Sequence, residues 1–167
     1  MVEKIKEWGK IVLEAAVIIV VMFYFCWPAR IAGSSMNPGL EDGDIVFTNR
    51  VSAMRESYER GDVVLFDYRD EEGEKTLVKR IIAMEGDTLR ISPEGVEVNG
   101  ELLDEPYIAK ETTGLVVMTL KKGQVFVMGD NRTESYDSRN MGPIAKESIR
   151  AKVYFRLLPP GGVGGNK

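Results

Sequence analysis

The seventeen residues from Ile11 to Trp27, IVLEAAVIIVVMFYFCW, hold a single charge, Glu14, near their start. Few structures accommodate such a run. Seventeen residues is the short end of the range, roughly 17–25, that crosses a bilayer as a helix. Trp8 before the run, and Tyr24 and Trp27 at its far end, stand where interfacial aromatics belong. Pro28 then ends the helix, because its ring cannot continue the hydrogen-bond ladder. Lys4, Lys6 and Lys10 precede the run and only Arg30 follows closely, so the positive-inside rule puts the N-terminus in the cytoplasm. Two other readings stay open. A cleaved secretory signal has the same basic start and apolar middle, although here aromatics crowd the place where small residues precede a cleavage site. A buried core helix is the third. The expected organisation is a cytoplasmic tail over 1–10, a single-pass anchor over 11–27, an extracytoplasmic domain over 28–158 and a disordered Pro/Gly-rich tail over 159–167.

The domain must work without histidine, which the 167 residues lack entirely. That excludes a Ser-His-Asp or Cys-His unit, His-ligated zinc and the two-His zinc helix. One cysteine, Cys26, lies in the apolar run and can form neither an internal disulfide nor a Cys₄ metal site. No metal and no cofactor is expected. A net charge of -4 gives no electrostatic footprint for nucleic acid. Any acid–base chemistry falls to Lys, Asp, Glu or Tyr.

After the anchor the pattern is that of strands. Asp44–Asn49, Asp62–Tyr68, Thr76–Met84, Leu89–Ile91, Val96–Val98, Glu101–Leu103, Leu115–Leu120, Gln124–Met128 and Ala151–Leu157 are apolar or alternating runs bounded by turn residues. Asn99-Gly100 is the strongest hairpin signal. Leu115–Leu120 and Gln124–Met128 read as a pair around Lys121-Lys122-Gly123. Ser52–Arg60 and Lys146–Ile149 read as short helical turns. The expected fold is mainly β: an antiparallel sheet or partly closed barrel, with a small β-ribbon insertion over 88–122, behind one N-terminal transmembrane helix.

Three segments can carry chemistry. Gly33-Ser34-Ser35-Met36-Asn37-Pro38-Gly39 presents hydroxyls beside backbone N–H groups, as a nucleophile and an oxyanion site need, although taken alone a plain linker turn is the better reading. In Leu77-Val78-Lys79-Arg80-Ile81-Ile82, strand alternation flanks each charge with apolar residues on its own face. A desolvated lysine loses proton affinity and can serve as a neutral base near pH 7–8, whereas arginine stays charged. Alone, the pair reads better as snorkelling edge charges. Gly129 to Arg139, GDNRTESYDSR, packs many short polar side chains that tie down backbone groups, and an Asp and an Arg two apart can pair.

In this order and spacing the three segments resemble the type I signal peptidase family, membrane-anchored Ser/Lys proteases. The likeness runs from Met1 to about Leu158, with GDNRTESYDSR its most diagnostic part and Ser35-Met36, Pro38, Gly43-Asp44 and Lys79-Arg80 in place. It implies that Ser35 is the nucleophile, Lys79 the general base, Arg80 a structural companion of Lys79, and Met36 a substrate contact. It implies that Ser135 hydrogen-bonds Lys79, that Asp137 and Arg139 order their loop, and that the Ser35 N–H is one oxyanion donor. Some members place a serine hydroxyl two residues before the nucleophile as the second donor; Gly33 stands there, as in the shorter, Gram-positive-like branch. Glu85-Gly86-Asp87 replaces the more usual Pro-Gly-Asp. The 49 residues between Lys79 and Gly129 leave room for a β-ribbon but no large second domain.

The implied function is removal of signal peptides from exported preproteins at the plasma membrane, through an acyl-enzyme, with specificity for small residues at the first and third positions before the cut. The implied partners are preproteins and the lipid bilayer. Two alternatives are weighed beside it. The related self-cleaving Ser/Lys repressors carry a DNA-binding segment where this chain has its apolar run. A membrane-anchored, non-catalytic β module that binds a partner would not need Ser35 or Lys79.

Overall fold

The computed structural model describes residues 2–71 and 73–163, without the side chains of residues 2–5 and 22–24. The chain opens with α1 (Val2–Phe25), about 36 Å long at 1.5 Å per residue. Its side chains from Ile11 to Val21 are exposed. Among the described residues no helix is long and apolar enough to cross a membrane. The interfacial place expected of Tyr24 lies outside the described side chains. The helix also ends earlier than Pro28 suggests. Cys26 and Trp27 leave it and start β1 (Cys26–Arg30). β1 is an edge strand paired only with β2 (Ile45–Asn49), and an edge tolerates Pro28, which sits opposite Phe47.

A four-residue helix, α2 (Val51–Met54), follows, shorter than the turn expected over Ser52–Arg60. β3 (Val63–Asp70) and β4 (Gly73–Ala83) then form a long hairpin whose pairing runs on to Asp70 and Gly73, through residues expected to be turn. β5 (Thr88–Ser92), β6 (Gly95–Val98), β7 (Glu101–Leu102) and β8 (Val116–Thr119) make a four-stranded antiparallel sheet in the order β7-β6-β5-β8. Asn99 and Gly100, both at positive φ, turn β6 into β7, as the Asn-Gly signal requires. β9 (Gln124–Met128), α3 (Ser138–Met141), β10 (Ile144–Ala145), a 3₁₀ turn (Lys146–Ser148) and β11 (Ile149–Leu158) complete a seven-stranded antiparallel sheet, β1-β2-β11-β3-β4-β9-β10.

The antiparallel sheets are those expected, but they do not close into a barrel among the described residues: the larger sheet ends openly at β1 and β10. Nor do the strands around Lys121-Lys122-Gly123 pair with each other. β8 joins β5, while β9 joins β4 and β10. The chain crosses between sheets at Leu120, whose N–H and carbonyl bond to the Gly86–Asp87 turn. Burying Leu120, Phe126 and Met128 together against Leu89 and Ile91 is worth more than a local hairpin.

Residues 159–163, expected to be a disordered tail, fold back. Arg156 and Gly161 exchange backbone hydrogen bonds, and Val163 is buried against Met36 and Leu40. Residues 164–167 lie outside the described part.

Three clusters make the core. One joins the small sheet to β4 and β9, through Ile82, Leu89, Val98, Phe126 and Met128. One lies on the other face of β3, β4 and β9, around Phe66, Ile81 and Val127. The third, with Ile31, Met36, Leu40, Val46 and Val153, supports the loop after β1. That loop and β4 meet at the functional site.

Candidate active site

Strand alternation in β4 sends Lys79 toward the face of Leu77 and Ile81, and Arg80 to the opposite face. Both charges are buried, at 3% and 1% exposure, so neither snorkels. β9 takes up pairing with β4 only from Arg80 onward. Among the described residues no strand covers the other edge of β4 before that point. Into this edge comes the loop after β1, placing Ser35 Oγ 2.7 Å from Lys79 Nζ. The amine also donates to the Val78 carbonyl at 3.0 Å.

Burial lowers the Lys79 pKa from 10.5 to about 8, against the opposing pull of the Asp137 and Asp130 carboxylates. A usable fraction of the amine is therefore neutral at mildly alkaline pH, with a lone pair next to the serine hydroxyl.

Arg80 is not idle beside it. Its Nε and Nη2 clamp Asp130 at 2.8 and 2.7 Å, Nη1 donates to the Gly61 carbonyl at 2.7 Å and Nη2 to the Val163 carbonyl at 2.9 Å. Tyr107 covers the guanidinium at 4.0 Å. Burial pushes the Asp130 carboxyl up, against the pull of Arg80. Four N–H groups of the fork reach acceptors, which ties the guanidinium to Asp130 and the backbone of Gly61 and Val163.

The loop from Gly129 to Arg139 forms the back of the site. Asp137, fully buried, accepts from Arg139 Nε and Nη2 at 2.9 Å each and from the Gly129 N–H at 3.0 Å. Burial raises its pKa, but these bonds outweigh that and hold the carboxyl below its ordinary value. Asp137 also caps α3 in a reciprocal arrangement with Asn140. Gly129 packs so tightly that a Cβ there would collide with Ser135 Oγ and the Ser35 carbonyl oxygen.

The structure departs from the implied roles at three residues. Ser135 is next to the site, yet Lys79 bonds Ser35 and Val78 rather than Ser135. The Ser135 hydroxyl is buried, makes no hydrogen bond of normal geometry among the described residues, and acts on the Asp137 carboxylate, whose pKa it helps to lower. Gly33 is needed for its backbone, at φ +90°, and its N–H is taken by Asp42 Oδ1 at 2.7 Å. That N–H is thus not the free second oxyanion donor. Met36, expected to touch substrate, is 1% exposed and lines the site from the core side.

Two contributors were not singled out from the sequence. Asn131 donates its backbone N–H to the Ser35 carbonyl at 3.1 Å and its side-chain Nδ2 to the Ser34 carbonyl at 3.2 Å. Arg132, 2% exposed, ties the Gly129 carbonyl at 3.0 Å to Glu105 in the segment after β7. Only the polar density of the loop signalled either one. Beside Ser35 and Lys79 lies a pocket of about 260 Å³, walled by Ile31, Ala32, Met36, Leu77 and Val78.

A serine hydroxyl against a buried amine of lowered pKa, in a mainly β frame with no imidazole anywhere in the chain, is the architecture of a serine–lysine hydrolase. Comparison with known proteins narrows this class to one family. The profile described as signal peptidase, peptidase S26, matches residues 5–158. Signal peptidase I T of Bacillus subtilis (strain 168) is 34% identical, covering 92% of this chain and 85% of its own length. Signal peptidase IB of Staphylococcus aureus (strain COL) is 32% identical, covering 95% and 92%. A solved signal peptidase I from Enterococcus faecalis V583 superposes with a TM-score of 0.51 at 25% identity, over 57% of this chain and 96% of that one. The chain belongs to the signal peptidase family, peptidase S26.

Proposed function

We propose that the protein is a serine endopeptidase that removes signal peptides from exported preproteins, with Ser35 as nucleophile and Lys79 as general base. The observation that carries this is the 2.7 Å approach of Ser35 Oγ to an amine whose pKa is lowered to about 8. Neutral Lys79 takes the hydroxyl proton as Ser35 Oγ attacks the scissile carbonyl carbon. The Ser35 N–H, which meets no acceptor among the described residues, is the first donor to the developing oxyanion. Collapse breaks the C–N bond, the Lys79 ammonium protonates the leaving amine, and the signal peptide remains as an ester on Ser35. Lys79 then deprotonates a water that hydrolyses the ester and restores the serine. Ser135 serves as a neighbour that orients the amine once the proton moves, and Asp137 with Arg139 hold its loop.

The bare edge of β4 before Arg80 suits an added strand of substrate, whose small side chains enter the pocket beside Ser35. α1 anchors the chain in the plasma membrane, its N-terminus cytoplasmic and residues 28–158 outside. Its exposed apolar side chains from Ile11 to Val21, and the lysines ahead of them, support that orientation. Residues 88–122 form a small insertion rather than a separate unit.

The test is cleavage of a preprotein by the purified full chain. The unsubstituted chain processes it; Ser35→Ala and Lys79→Met each lower the rate at least about 10³-fold while remaining folded. Processing by purified Ser35→Ala at the unsubstituted rate would defeat the assignment and favour a partner-binding module.

A further inference from the structure

The family match stops at residue 158, but the chain past it turns back under the reactive pair. Arg156 and Gly161 exchange backbone hydrogen bonds of 2.8 and 3.0 Å, which reverses the chain after β11. Arg156 Nη1 also donates to Asp44 Oδ2 at 3.2 Å. Asp44 closes the loop that carries Ser35, since its carbonyl accepts the Ile31 N–H at 2.8 Å. Pro159 to Gly162 are exposed, and Val163, 7% exposed, is the one residue of the returning segment that burial anchors among those described.

Val163 makes two different contacts. Its side chain packs in the cluster of Ile31, Met36 and Leu40, on the loop that carries Ser35. Its carbonyl accepts from Arg80 Nη2 at 2.9 Å, and the same Nη2 holds Asp130 Oδ2 at 2.7 Å. Gly39 closes the junction: a Cβ on it would lie 2.9 Å from Asp130 Oδ2 and 3.6 Å from the Val163 carbonyl oxygen. The junction stands between the two halves of the reactive pair. On one side Arg80 follows Lys79 in β4. On the other Met36 follows Ser35, and Asn131, next to Asp130, holds the Ser34 and Ser35 carbonyls. Proton transfer needs the heavy atoms within about 2.6–3.2 Å, and a misplacement of about 1 Å can cost about 10²-fold in rate. A segment that ties the serine loop to the lysine strand therefore bears on the rate without touching substrate.

We propose that Val163 is a positioning residue for the reaction. Seated, it holds the Ser35 loop through Met36 and β4 through Arg80, and so keeps Ser35 Oγ within reach of Lys79. The inference rests on the peptidase reading and adds to it a residue that acts only through others.

The experiment measures kcat and KM for preprotein cleavage by the full chain in detergent, with Val163→Gly, Val163→Ile and Gly161→Pro beside it. Val163→Gly removes the buried anchor and leaves the backbone in place. Gly161→Pro removes the N–H that bonds Arg156, at an exposed position, and decides the matter if Val163→Gly does not fold. Each rate is divided by the folded fraction found from urea unfolding under the assay conditions. Val163→Gly and Gly161→Pro are expected to lower kcat at least about tenfold with KM within about twofold of the parent. Val163→Ile, which keeps the anchor, is expected to stay within about twofold of the parent in both. An unchanged kcat in folded Val163→Gly, a loss confined to KM, or a loss that the folded fraction accounts for overturns the positioning role and leaves the peptidase reading intact. If the unsubstituted chain cleaves no preprotein, that reading fails and takes the role of Val163 with it.

Discussion

Lys79 sits at 3% exposure, held against its own hydration. Its pKa of about 8 in the folded chain lies below the 10.5 of an unperturbed lysine. Between those values the unfolded chain binds the extra proton, so stability rises with pH across that window and the full penalty applies below it. The difference corresponds to about 3 kcal/mol at neutral pH as an upper bound. Lys79→Met should therefore be more stable than the parent by about 1–3 kcal/mol at pH 7, with the gap closing by about pH 10.5. Urea unfolding at both pH values measures it, and an equal gap at the two would show that the amine is not desolvated. Ser35 and Lys79 were legible in the sequence only through the order and spacing of three segments and the family resemblance they carry; the Gly-Ser-Ser loop and the charge amid apolar residues are each too weak alone. Asn131 was not. Its value lies in reaching the Ser34 and Ser35 carbonyls, nearly a hundred residues away along the chain. Gly33 was read as lacking the hydroxyl of a second oxyanion donor; that its own N–H is committed to Asp42 is visible only in the fold.

At the scale of elements, β4 does most of the positioning. One strand carries Lys79 toward one core cluster and Arg80 toward the other side, and it keeps one edge bare where β9 has not yet begun. Arg80 and Asp130, each 1% exposed, fasten the strand to the loop behind Ser35. Removing one partner strands the other charge in the interior. Arg80→Met should cost about 3–5 kcal/mol in chemical denaturation. A loss under about 1 kcal/mol would mean that solvent reaches Asp130. Most strands could be read from alternation and turn residues. The partners of β8 and β9 could not, since a tight Lys-Lys-Gly turn looks like a hairpin until Leu120 is seen buried between two sheets. β1 was hidden as well, because Pro28 reads as a helix stop and only its edge position makes a strand possible.

For the whole molecule, the apolar run and the catalytic cleft belong to one arrangement. α1 leads directly into β1, whose last residue, Arg30, lines the pocket at Ser35. Ile18→Lys, placing a charge in the middle of the run, should cost about 2.5–3.5 kcal/mol of insertion and release a large fraction of the chain from lipid vesicles. Unchanged co-sedimentation with vesicles would remove α1 as the anchor. Binding of the tail was beyond sequence reasoning altogether. A Pro/Gly-rich end looks disordered, and nothing local announces that the Val163 carbonyl meets a buried arginine. The central claim is that a neutral lysine amine activates the serine. The rate of preprotein cleavage by the full chain, measured from about pH 6 to pH 10 under single-turnover conditions, tests it most directly. The rate should rise tenfold per pH unit at first and level off around an apparent pKa of about 8. A rate that is flat across that range would contradict it.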